Sequence, residues 1–499
     1  MDRRTVIGGM AGAAALSLGA PAIAGPRRRP NLIFIMTDDH AQSALGCYGN
    51  KIIRTPNLDR LAAGGVRFNQ AFVTNALCLP SRATYLTGVY SHTHGMVTNG
   101  EESGFTGEPR LISARTYPNM LRAAGYHTGV VGKWHVNTPP EGYDYSAILP
   151  GQGQYFDPQL LVQGRMMRGK GHTDDVIGEQ ALGFLRSAPR DKPFCLLYQF
   201  KAPHRGWEPA PRFRTAYADV DIPPPADFLE GIEDRPLPLR LADLGIANMP
   251  DYRDRVPASL PTAERARRNW DIFIKDYYRV LMGVDENVGR VLDHLDTSGL
   301  AEDTLIVYTS DNGFFLGEHG LFDKRLMYEP SIRVPMLVRH PAAIPAGRVD
   351  DSHMLLNIDM APTARALAGL RPDREMHGES WLKVARGERV PGWRKDFLYQ
   401  YFEFPAAHCV RPNRGVRTDR WKLIHWVRPE AWELYDLKAD PGEHVNLAGK
   451  PEVRAVEQRL KARLTALQRE YGDVELPTHV AAEPMPGRAR GCPPIPPGA

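Results

Sequence analysis

The sequence predicts an α/β fold: a large, mostly parallel central sheet with helices on both faces, and a smaller C-terminal α+β subdomain with a short antiparallel sheet. Short, continuous apolar segments are typical of strands buried on both faces of a parallel sheet, and helical patterns separate them. Near the C-terminus, strand patterns alternate with turn residues. The length of 499 residues fits one large domain with an appendage, or two to three domains.

Composition excludes two classes of protein. The mean hydropathy of -0.37 excludes a polytopic membrane protein. The 62 basic and 58 acidic residues are too evenly balanced to indicate a nucleic-acid partner.

The first 24 residues predict a signal peptide. Arg3 and Arg4 precede a weakly apolar segment at 7–20, and the small residues at 22–24 suit a signal peptidase. The paired arginines favour twin-arginine export. A membrane anchor is the less favoured alternative, because the segment is short and rich in Gly and Ala. We therefore expect an exported bacterial protein, periplasmic or secreted, with no stable membrane insertion.

Four of the predicted strands end in polar side chains. The strands are 31–36, 128–132, 194–200 and 305–309. They lead into Thr37-Asp38-Asp39-His40, Lys133-Trp134-His135, Lys201-Ala202-Pro203-His204 and Ser310-Asp311-Asn312-Gly313. Helical patterns separate these strands, the longest from about 263 to 295. Because ligands bind beyond the carboxyl ends of parallel strands, we expect the four polar clusters to meet at one site.

The acidic residues of these clusters predict a cation site. Taken singly, an Asp pair after a strand is usually a turn or a helix cap, and a lone His is usually structural. Asp38, Asp39, Asp311 and Asn312 together offer only oxygen ligands, which suit Ca²⁺ or Mg²⁺ better than zinc. Glu318-His319 has no second His at the spacing of a zincin protease.

A cysteine motif lies between the first two of these strands. Cys78-x-Pro80-Ser81-Arg82, followed by Leu86-Thr87-Gly88, resembles the signature of the type I, formylglycine-dependent sulfatases of the alkaline phosphatase superfamily. The resemblance extends along the chain through Thr37-Asp38-Asp39, Gly132-Lys133-Trp134-His135, Ala202-Pro203-His204, Ser310-Asp311-Asn312-Gly313, Gly317-Glu318-His319-Gly320 with Lys324, and Glu433-Leu434-Tyr435-Asp436-Leu437. It implies an alkaline phosphatase or sulfatase-like fold and a sulfuric ester hydrolase.

The resemblance also implies a modified residue and a maturation partner. Cys78 would be oxidised to formylglycine (3-oxoalanine) by a formylglycine-generating enzyme. The alternative for Cys78 is a buried structural thiol. Pro80 predicts a helix that begins at Ser81, which would put residue 78 near a helix N-terminus that favours sulfate.

Roles for the site residues follow from the resemblance. The metal ligands would be Asp38, Asp39, the formylglycine made from Cys78, Asp311 and Asn312, holding Ca²⁺ or alternatively Mg²⁺. Asp311 and the cation would activate one hydroxyl of the hydrated aldehyde to attack sulfur. The other catalytic residues would be Arg82 and Lys133, which hold the hydrated aldehyde; His204 and Lys324, which contact sulfate, with His204 also protonating the leaving oxygen; and His135, which deprotonates the second hydroxyl.

Three other histidines and two residues after His204 receive weaker interpretations. His319 has a structural or substrate-side role, and we interpret His92 and His94 as structural. The segment 205–261 shows no sustained period and predicts a long irregular excursion beside the site. Arg205 and Trp207 there would contact substrate, although a packing role suits Trp207 equally well.

The chain divides into four predicted parts: a signal peptide at 1–24, a catalytic domain at 29–370, a C-terminal subdomain at 371–478 and a flexible tail at 479–499. The subdomain has predicted strands at 397–404, 414–427 and 431–437 and a helix at 451–471.

The predicted substrate is a sulfated sugar, because 317–341 resembles the bacterial sulfatases that act on carbohydrates and glycosaminoglycans. Simple aryl or alkyl sulfates stay open. The alternatives are a phosphonate or phosphate monoester hydrolase of the same superfamily and a non-catalytic protein that binds sulfated glycan. The sequence indicates no oligomeric state.

Cys78 accounts for the odd number of cysteines. The chain has five, and the other four are Cys47, Cys195, Cys409 and Cys492. Because Cys195 lies in a predicted buried strand and Cys492 in the predicted tail, we expect most of these four to be free thiols.

Overall fold

The structure of this chain is a computed structural model that describes residues 29–100, 115–136, 138–473 and 491–496. The predicted signal peptide lies outside the described residues. None of the helices within the described part is long and apolar enough to cross a lipid bilayer.

A mixed sheet forms the centre of the molecule. Its strands, in chain order, are β1 (Asn31–Thr37), β2 (Val66–Phe68), β4 (His127–Lys133), β5 (Tyr145–Leu149), β6 (Gln159–Val162), β7 (Arg165–Arg168), β8 (Phe194–Gln199), β9 (Thr304–Ser310), β12 (Met336–Arg339) and β13 (Arg348–Asp350). Their spatial order is β13-β2-β12-β9-β1-β8-β4-β5-β6-β7. The five strands from β9 to β5 in this order run parallel, with Asn31 paired to Thr304 and Leu32 to Cys195. The expected mostly parallel sheet is therefore confirmed.

Helices cover both faces of this sheet. The α-helices of the described residues are α1 (Pro56–Ala63), α2 (Cys78–Thr87), α3 (Ser91–His94), α4 (Tyr117–Ala123), α5 (Thr173–Ser187), α6 (Leu237–Arg240), α7 (Thr262–Thr297), α8 (Glu329–Ile332), α9 (Met360–Leu367), α10 (Leu382–Ala385) and α11 (Arg454–Tyr471). Alternate residues of β1 face opposite sides: Phe34 belongs to the buried cluster that includes side chains of α2, α4 and α9, whereas Ile33 and Ile35 belong to the cluster that includes side chains of α1, α5 and α7. Both faces are therefore buried, which explains the continuous apolar strand sequences.

Four short strands form two small ribbons beside the main sheet. β10 (Phe315–Leu316) pairs with β11 (Phe322–Asp323), and β3 (Ala71–Phe72) pairs with β14 (Leu355–Leu356).

The C-terminal part contains a separate antiparallel sheet of four strands. These are β15 (Asp396–Tyr401), β16 (Asn413–Thr418), β17 (Trp421–Trp426) and β18 (Ala431–Asp436). The single predicted strand at 414–427 is wrong: Thr418 and Trp421 close a hairpin in which the Trp421 amide donates to Thr418 Oγ1 at 2.8 Å. The helix α11 packs on this sheet through Leu460, Leu464 and Leu467, which share one face at helical spacing.

The expectation that most of the four cysteines other than Cys78 are free thiols is wrong, because two of them are paired. Cys409 and Cys492 form a disulfide across 83 residues, while Cys47, Cys78 and Cys195 are free. The last described segment, 491–496, is thereby attached to the loop before β16. The rest of the predicted tail lies outside the described residues.

Candidate active site

The ends of β1 and β9 bring the predicted acidic ligands together. The two strands are parallel neighbours with Thr37 opposite Ser310, so the residues that follow them emerge side by side. The Asp39 amide donates to Asp311 Oδ1 at 3.1 Å, and Asn312 Nδ2 donates to Asp39 Oδ1 at 2.6 Å. Asp38, Asp39, Asp311 and Asn312 are all fully buried. Topology, rather than closeness in sequence, assembles this acidic group.

Cys78 begins the helix α2 beside this acidic group. The helix starts three residues before the predicted Ser81, with Leu77 extended as its N-cap. The prediction was wrong because proline is tolerated throughout the first helical turn, where its missing N–H has no partner to lose. Cys78 Sγ lies 3.7 Å from Asp38 Oδ1, and the Leu79 amide donates to Asn99 Oδ1. Residue 78 is therefore at the helix N-terminus itself.

Arg82 lies one turn further along α2 and joins the two strand ends. Its Nε donates to Asp311 Oδ2 at 2.9 Å and its Nη2 to Asp38 Oδ2 at 3.2 Å. Its Nη1 donates to the Lys133 carbonyl at 2.7 Å. The side chain is 1% exposed, so these bonds form out of contact with water.

The end of β4 contributes Lys133 and His135. The Lys133 ammonium contacts Asp38 and donates to Gln152 Oε1. Gln152 Nε2 lies 3.3 Å from His135 Nε2, whereas His135 Nδ1 is buried and has no hydrogen-bond partner among the described residues. His135 therefore keeps one ring nitrogen available within the site.

His204 and Lys324 approach the acidic group from the side of Asp39. Lys324 Nζ donates to Asp39 Oδ2 at 2.6 Å, and His204 Nε2 lies 4.0 Å from the same oxygen. His204 follows β8, and its carbonyl accepts a bond from the Tyr155 hydroxyl. The structure thus brings every predicted metal and catalytic residue to one site.

Burial and neighbouring charges shift the pKa values of these groups. Burial would raise the pKa of Asp38, but Lys133, His204 and Arg82 hold it well below its usual range. Burial, with the nearby Asp38 charge, raises the pKa of Asp311 to about 7. Burial and the charge of Lys133 lower the pKa of both His135 and His204 well below the usual value. The charges of the carboxylates and of the cationic side chains thus offset one another within the buried site.

The donor set fits a hard cation. Carboxylate oxygens of Asp38, Asp39 and Asp311 lie within 4.8 Å of one another. Asn312 Oδ1 is buried next to them and has no hydrogen-bond partner among the described residues. An unpartnered amide oxygen beside three carboxylates is the chemistry that Ca²⁺ or Mg²⁺ prefers in a protein site.

The other singled-out residues lie outside this group. His319 contacts Asp227 and Arg235. His94 forms a hydrogen bond with the Thr84 hydroxyl. His92 forms hydrogen bonds with the Gln400 side chain and with the Tyr471 carbonyl. These contacts suit structural roles.

The excursion at 205–261 contains short helical turns and one isolated bridge, between Gly245 and Leu321. Trp207 is 5% exposed and packs against Phe273 and Phe314, so it belongs to the core. Arg205 lies at the edge of the site, paired with Asp251.

Three polar residues of the site were not found from the sequence. Gln152 bonds Lys133, Gln199 accepts from Arg82, and Glu403 receives Arg325 Nη1 and the Asn99 amide. Gln199 is the last residue of a predicted strand, so the strand-end pattern pointed to its neighbourhood. Gln152 and Glu403 lie in loops that carry no local signal.

Comparison with known proteins decides the family. The family model described as Sulfatase matches residues 30–370, and a model described as N-sulphoglucosamine sulphohydrolase, C-terminal, matches residues 317–470. The chain belongs to the sulfatase family. This sulfatase is an enzyme that hydrolyses sulfate esters, as the sequence predicted. The family in general uses a metal ion and formylglycine.

Named relatives of this sulfatase align over most of its length. N-acetylglucosamine-6-O-sulfatase of Bacteroides thetaiotaomicron is 38% identical, over 92% of this chain and 90% of that protein. Human N-acetylglucosamine-6-sulfatase is 31% identical, over 86% of this chain and 83% of that protein.

Solved structures share the fold. A protein in complex with its substrate D-glucosamine-2-N,6-O-disulfate superposes with a TM-score of 0.83 at 36% identity, over 90% of this chain and 99% of that one. A phosphonate monoester hydrolase of Agrobacterium radiobacter has a TM-score of 0.68 at 20% identity, over 89% of this chain and 96% of that one, and shares the fold alone.

Proposed function

We propose that this sulfatase removes the 6-O-sulfate of N-acetylglucosamine or glucosamine units, using formylglycine made from Cys78 and a bound Ca²⁺ ion. The observation that carries the proposal is Cys78 at the start of α2, 3.7 Å from Asp38 and surrounded by three carboxylates and three cations. The 38% identity to an N-acetylglucosamine-6-O-sulfatase supports the choice of sugar. Mg²⁺ is the alternative ion.

The side chains around residue 78 have distinct roles in this proposal. Asp38, Asp39, Asp311 and Asn312 would hold the ion, which neutralises sulfate charge. Formylglycine would supply the nucleophile as a hydrated aldehyde. Arg82 and Lys133, which both contact Asp38, would hold residue 78 from that side, and Asp311 would accept a proton from it.

Sulfate binding and proton transfer fall to residues on the other side of the acidic group. Lys324 and His204 lie against Asp39, where they would contact sulfate oxygens. The negative charge of bound sulfate would raise the pKa of His204 from its low value, so that it could protonate the leaving alcohol. His135, with its unpartnered Nδ1, would accept the proton whose removal lets sulfate leave.

Maturation is the first test. Peptide mass spectrometry of protein made with a formylglycine-generating enzyme should find the aldehyde at residue 78. Cys78→Ser is the matched variant, because it replaces the thiol with a hydroxyl of similar size that an enzyme acting on cysteine does not convert; it should lower kcat by at least ~10³-fold. An unmodified thiol in fully active enzyme would contradict the proposal.

Substrate choice is measured with matched esters. The kcat/KM for N-acetylglucosamine 6-sulfate should exceed that for N-acetylgalactosamine 6-sulfate, which differs only at C4. 4-Nitrophenyl sulfate should be hydrolysed faster than 4-nitrophenyl phosphate. A phosphate ester that reacts faster by a wide margin would favour the phosphonate or phosphate monoester hydrolase instead.

The remaining parts of the proposal concern the ion and the cell. EDTA should abolish activity, and Ca²⁺ should restore it more fully than Mg²⁺.

We also propose that the protein is exported, with 1–24 as a cleaved twin-arginine signal, which cell fractionation and N-terminal sequencing of the mature protein would test.

A further inference from the structure

One loop of the C-terminal part reaches the edge of the candidate site. We call it the His408 loop; it comprises residues 402–412, between β15 and β16. His408 Nε2 lies 2.7 Å from Arg205 Nη1 and 3.3 Å from Asp323 Oδ2, and its Nδ1 lies 2.7 Å from the Asp243 carbonyl. Arg205 is the residue after His204, and Asp323 is the residue before Lys324. His408 thus contacts a neighbour of each residue proposed to bind sulfate.

The same loop is connected to the start of α2. The backbone N–H of Asn99 donates a hydrogen bond to the Glu403 carboxylate at 2.8 Å. The side-chain oxygen of Asn99 in turn accepts a hydrogen bond from the backbone N–H of Leu79, the residue after Cys78. Glu403 also pairs with Arg325, close to Lys324. Glu403 is 1% exposed, so this connection is buried. The loop therefore contacts the residues next to His204 and Lys324 directly and is linked to the residue after Cys78 through Asn99, without supplying any residue of the acidic group.

The backbone of the loop adopts an unfavourable conformation at its tip. His408 and Cys409 have φ values of 67° and 53°, in the left-handed region that non-glycine residues rarely occupy. Two consecutive residues persist in that region only where surrounding contacts hold them. The tip therefore needs an external restraint.

The C-terminal segment provides that restraint. Cys492 forms a disulfide with Cys409, the second of these two residues, and Arg411 Nη2 donates to the Pro493 carbonyl at 3.1 Å. A disulfide persists in the oxidising compartments outside the cytoplasm, which agrees with the proposed export.

We propose that the Cys409–Cys492 disulfide holds the His408 loop as one wall of the sugar-binding side of the site, so that His408 fixes Arg205 and Asp323. The disulfide is a positioning element for the sugar and takes no part in bond cleavage. The proposal rests on the proposed sugar sulfatase function. A small aryl sulfate, which needs only the sulfate-binding residues, should be insensitive to it.

The test compares two substrates in the double variant Cys409→Ser/Cys492→Ser. The KM for N-acetylglucosamine 6-sulfate should rise about tenfold with little change in kcat, while kcat/KM for 4-nitrophenyl sulfate stays within about twofold of wild type. Cys47→Ser is the matched control, because it removes a free, half-buried thiol elsewhere; both substrates should be unaffected. Equal losses on both substrates, or no change on the sugar, would overturn the proposal.

Reduction of the wild-type protein gives the same comparison without mutation. Tris(2-carboxyethyl)phosphine converts the disulfide to two thiols, is itself oxidised to the phosphine oxide, and takes the oxygen from water. It should raise the KM for the sugar in the wild type and leave the double variant unchanged, which separates disulfide reduction from any reaction at residue 78. Peptide mapping without reductant that found Cys409 and Cys492 as free thiols would also overturn the proposal.

Hydrogen exchange separates this proposal from the proposed function. In the double variant, peptides covering 402–412 and 321–325 should both exchange faster than in the wild type, whatever substrate the enzyme uses. Faster exchange in 402–412 alone would mean that the disulfide does not position Asp323. If the wild type hydrolyses 4-nitrophenyl sulfate but not the glucosamine esters, the proposed substrate is wrong, and the KM comparison is made with the sugar sulfate that a substrate panel identifies.

Discussion

Arg82 offsets much of the negative charge of the buried site. It bonds Asp38 and Asp311, both fully buried, and removing one partner of such a group leaves an uncompensated charge. We expect Arg82→Met to lower the free energy of unfolding of the metal-free protein by about 3 to 5 kcal/mol. Denaturant unfolding in EDTA measures this effect.

A surface arginine gives the control for this prediction. Arg60 pairs with Asp293, but the two side chains are 43% and 66% exposed. We expect Arg60→Met to change the same free energy by less than about 1 kcal/mol. If both variants unfold at the same denaturant concentration, Arg82 does not balance the two carboxylates.

Which site residues the sequence reveals depends on what positions them. Asp38, His204 and Asp311 follow buried strands, and the rule that parallel strands end at one edge predicts their meeting without further information. Glu403 comes from a loop whose path depends on how the C-terminal part packs. The Cys409–Cys492 pairing has the same cause, because residues 83 apart meet only through tertiary structure.

At the scale of single elements, hydrophobic period predicts the central strands and the long helix α7 to within a few residues. It fails where a short turn joins two strands of similar composition, as between β16 and β17. The turn 418–421 contains neither Gly nor Pro, so the usual signal of a hairpin is missing.

The last residues of β4 depend on a glycine. Gly132 has φ of 95°, and a Cβ there would lie 1.8 Å from the Gln199 carbonyl oxygen of β8. We expect Gly132→Ala to cost at least ~2 kcal/mol of stability and to lower kcat, because Lys133 must move with the strand. Thermal unfolding and kcat measured on the same preparation test both parts.

Gly183 in α5 is the matched control for this substitution. It is exposed, and a Cβ there would meet nothing within 4 Å. We expect Gly183→Ala to stabilise the protein by about 0.5 to 1 kcal/mol, since alanine has the higher helix propensity. Equal effects of the two alanines would show that β4 tolerates the extra carbon.

The helix α8 is joined to the C-terminal hairpin by ion pairs. Glu329 Oε1 lies 2.9 Å from Lys422 Nζ, and Arg417 Nη2 lies 3.3 Å from its other oxygen. Burial would raise the pKa of Glu329, but Arg417, Lys422 and Arg333 hold it well below its usual value. The group therefore stabilises the fold above the unfolded pKa, about 4.3, and this stability is lost as pH falls through the folded value.

A variant of Glu329 tests this joint. We expect Glu329→Gln to lower the free energy of unfolding at pH 7 by about 3 kcal/mol, with the difference from wild type shrinking as pH falls below about 4.3. Glu443 also contacts Lys422, and burial, with the nearby Glu329 charge, raises its pKa, so it acts in the opposite sense, and less so in the variant, which lacks that charge. A difference that grows with acidity would contradict the assignment.

At the scale of the whole molecule, the C-terminal sheet and the central sheet share one hydrophobic core. Leu32 of β1 and Leu423 of β17 belong to the same cluster of buried side chains. The rings of Phe72 and Phe397 lie 5.2 Å apart, and the backbone N–H of Gln400 in β15 donates a hydrogen bond to the Thr74 carbonyl. Separating the two sheets would therefore expose apolar side chains of this core to water.

This shared core predicts how the full chain unfolds. With the disulfide intact, calorimetry should find a single transition rather than separate melting of the two sheets, because unfolding either one exposes apolar surface on the other. Phe397→Ala, at the junction, should lower the free energy of unfolding by about 3 to 5 kcal/mol, and therefore the temperature of the transition, without splitting it into two. Two resolved transitions in the wild type would mean that the core does not couple the sheets. Splitting in the variant alone would mean that this one aromatic contact carries the coupling.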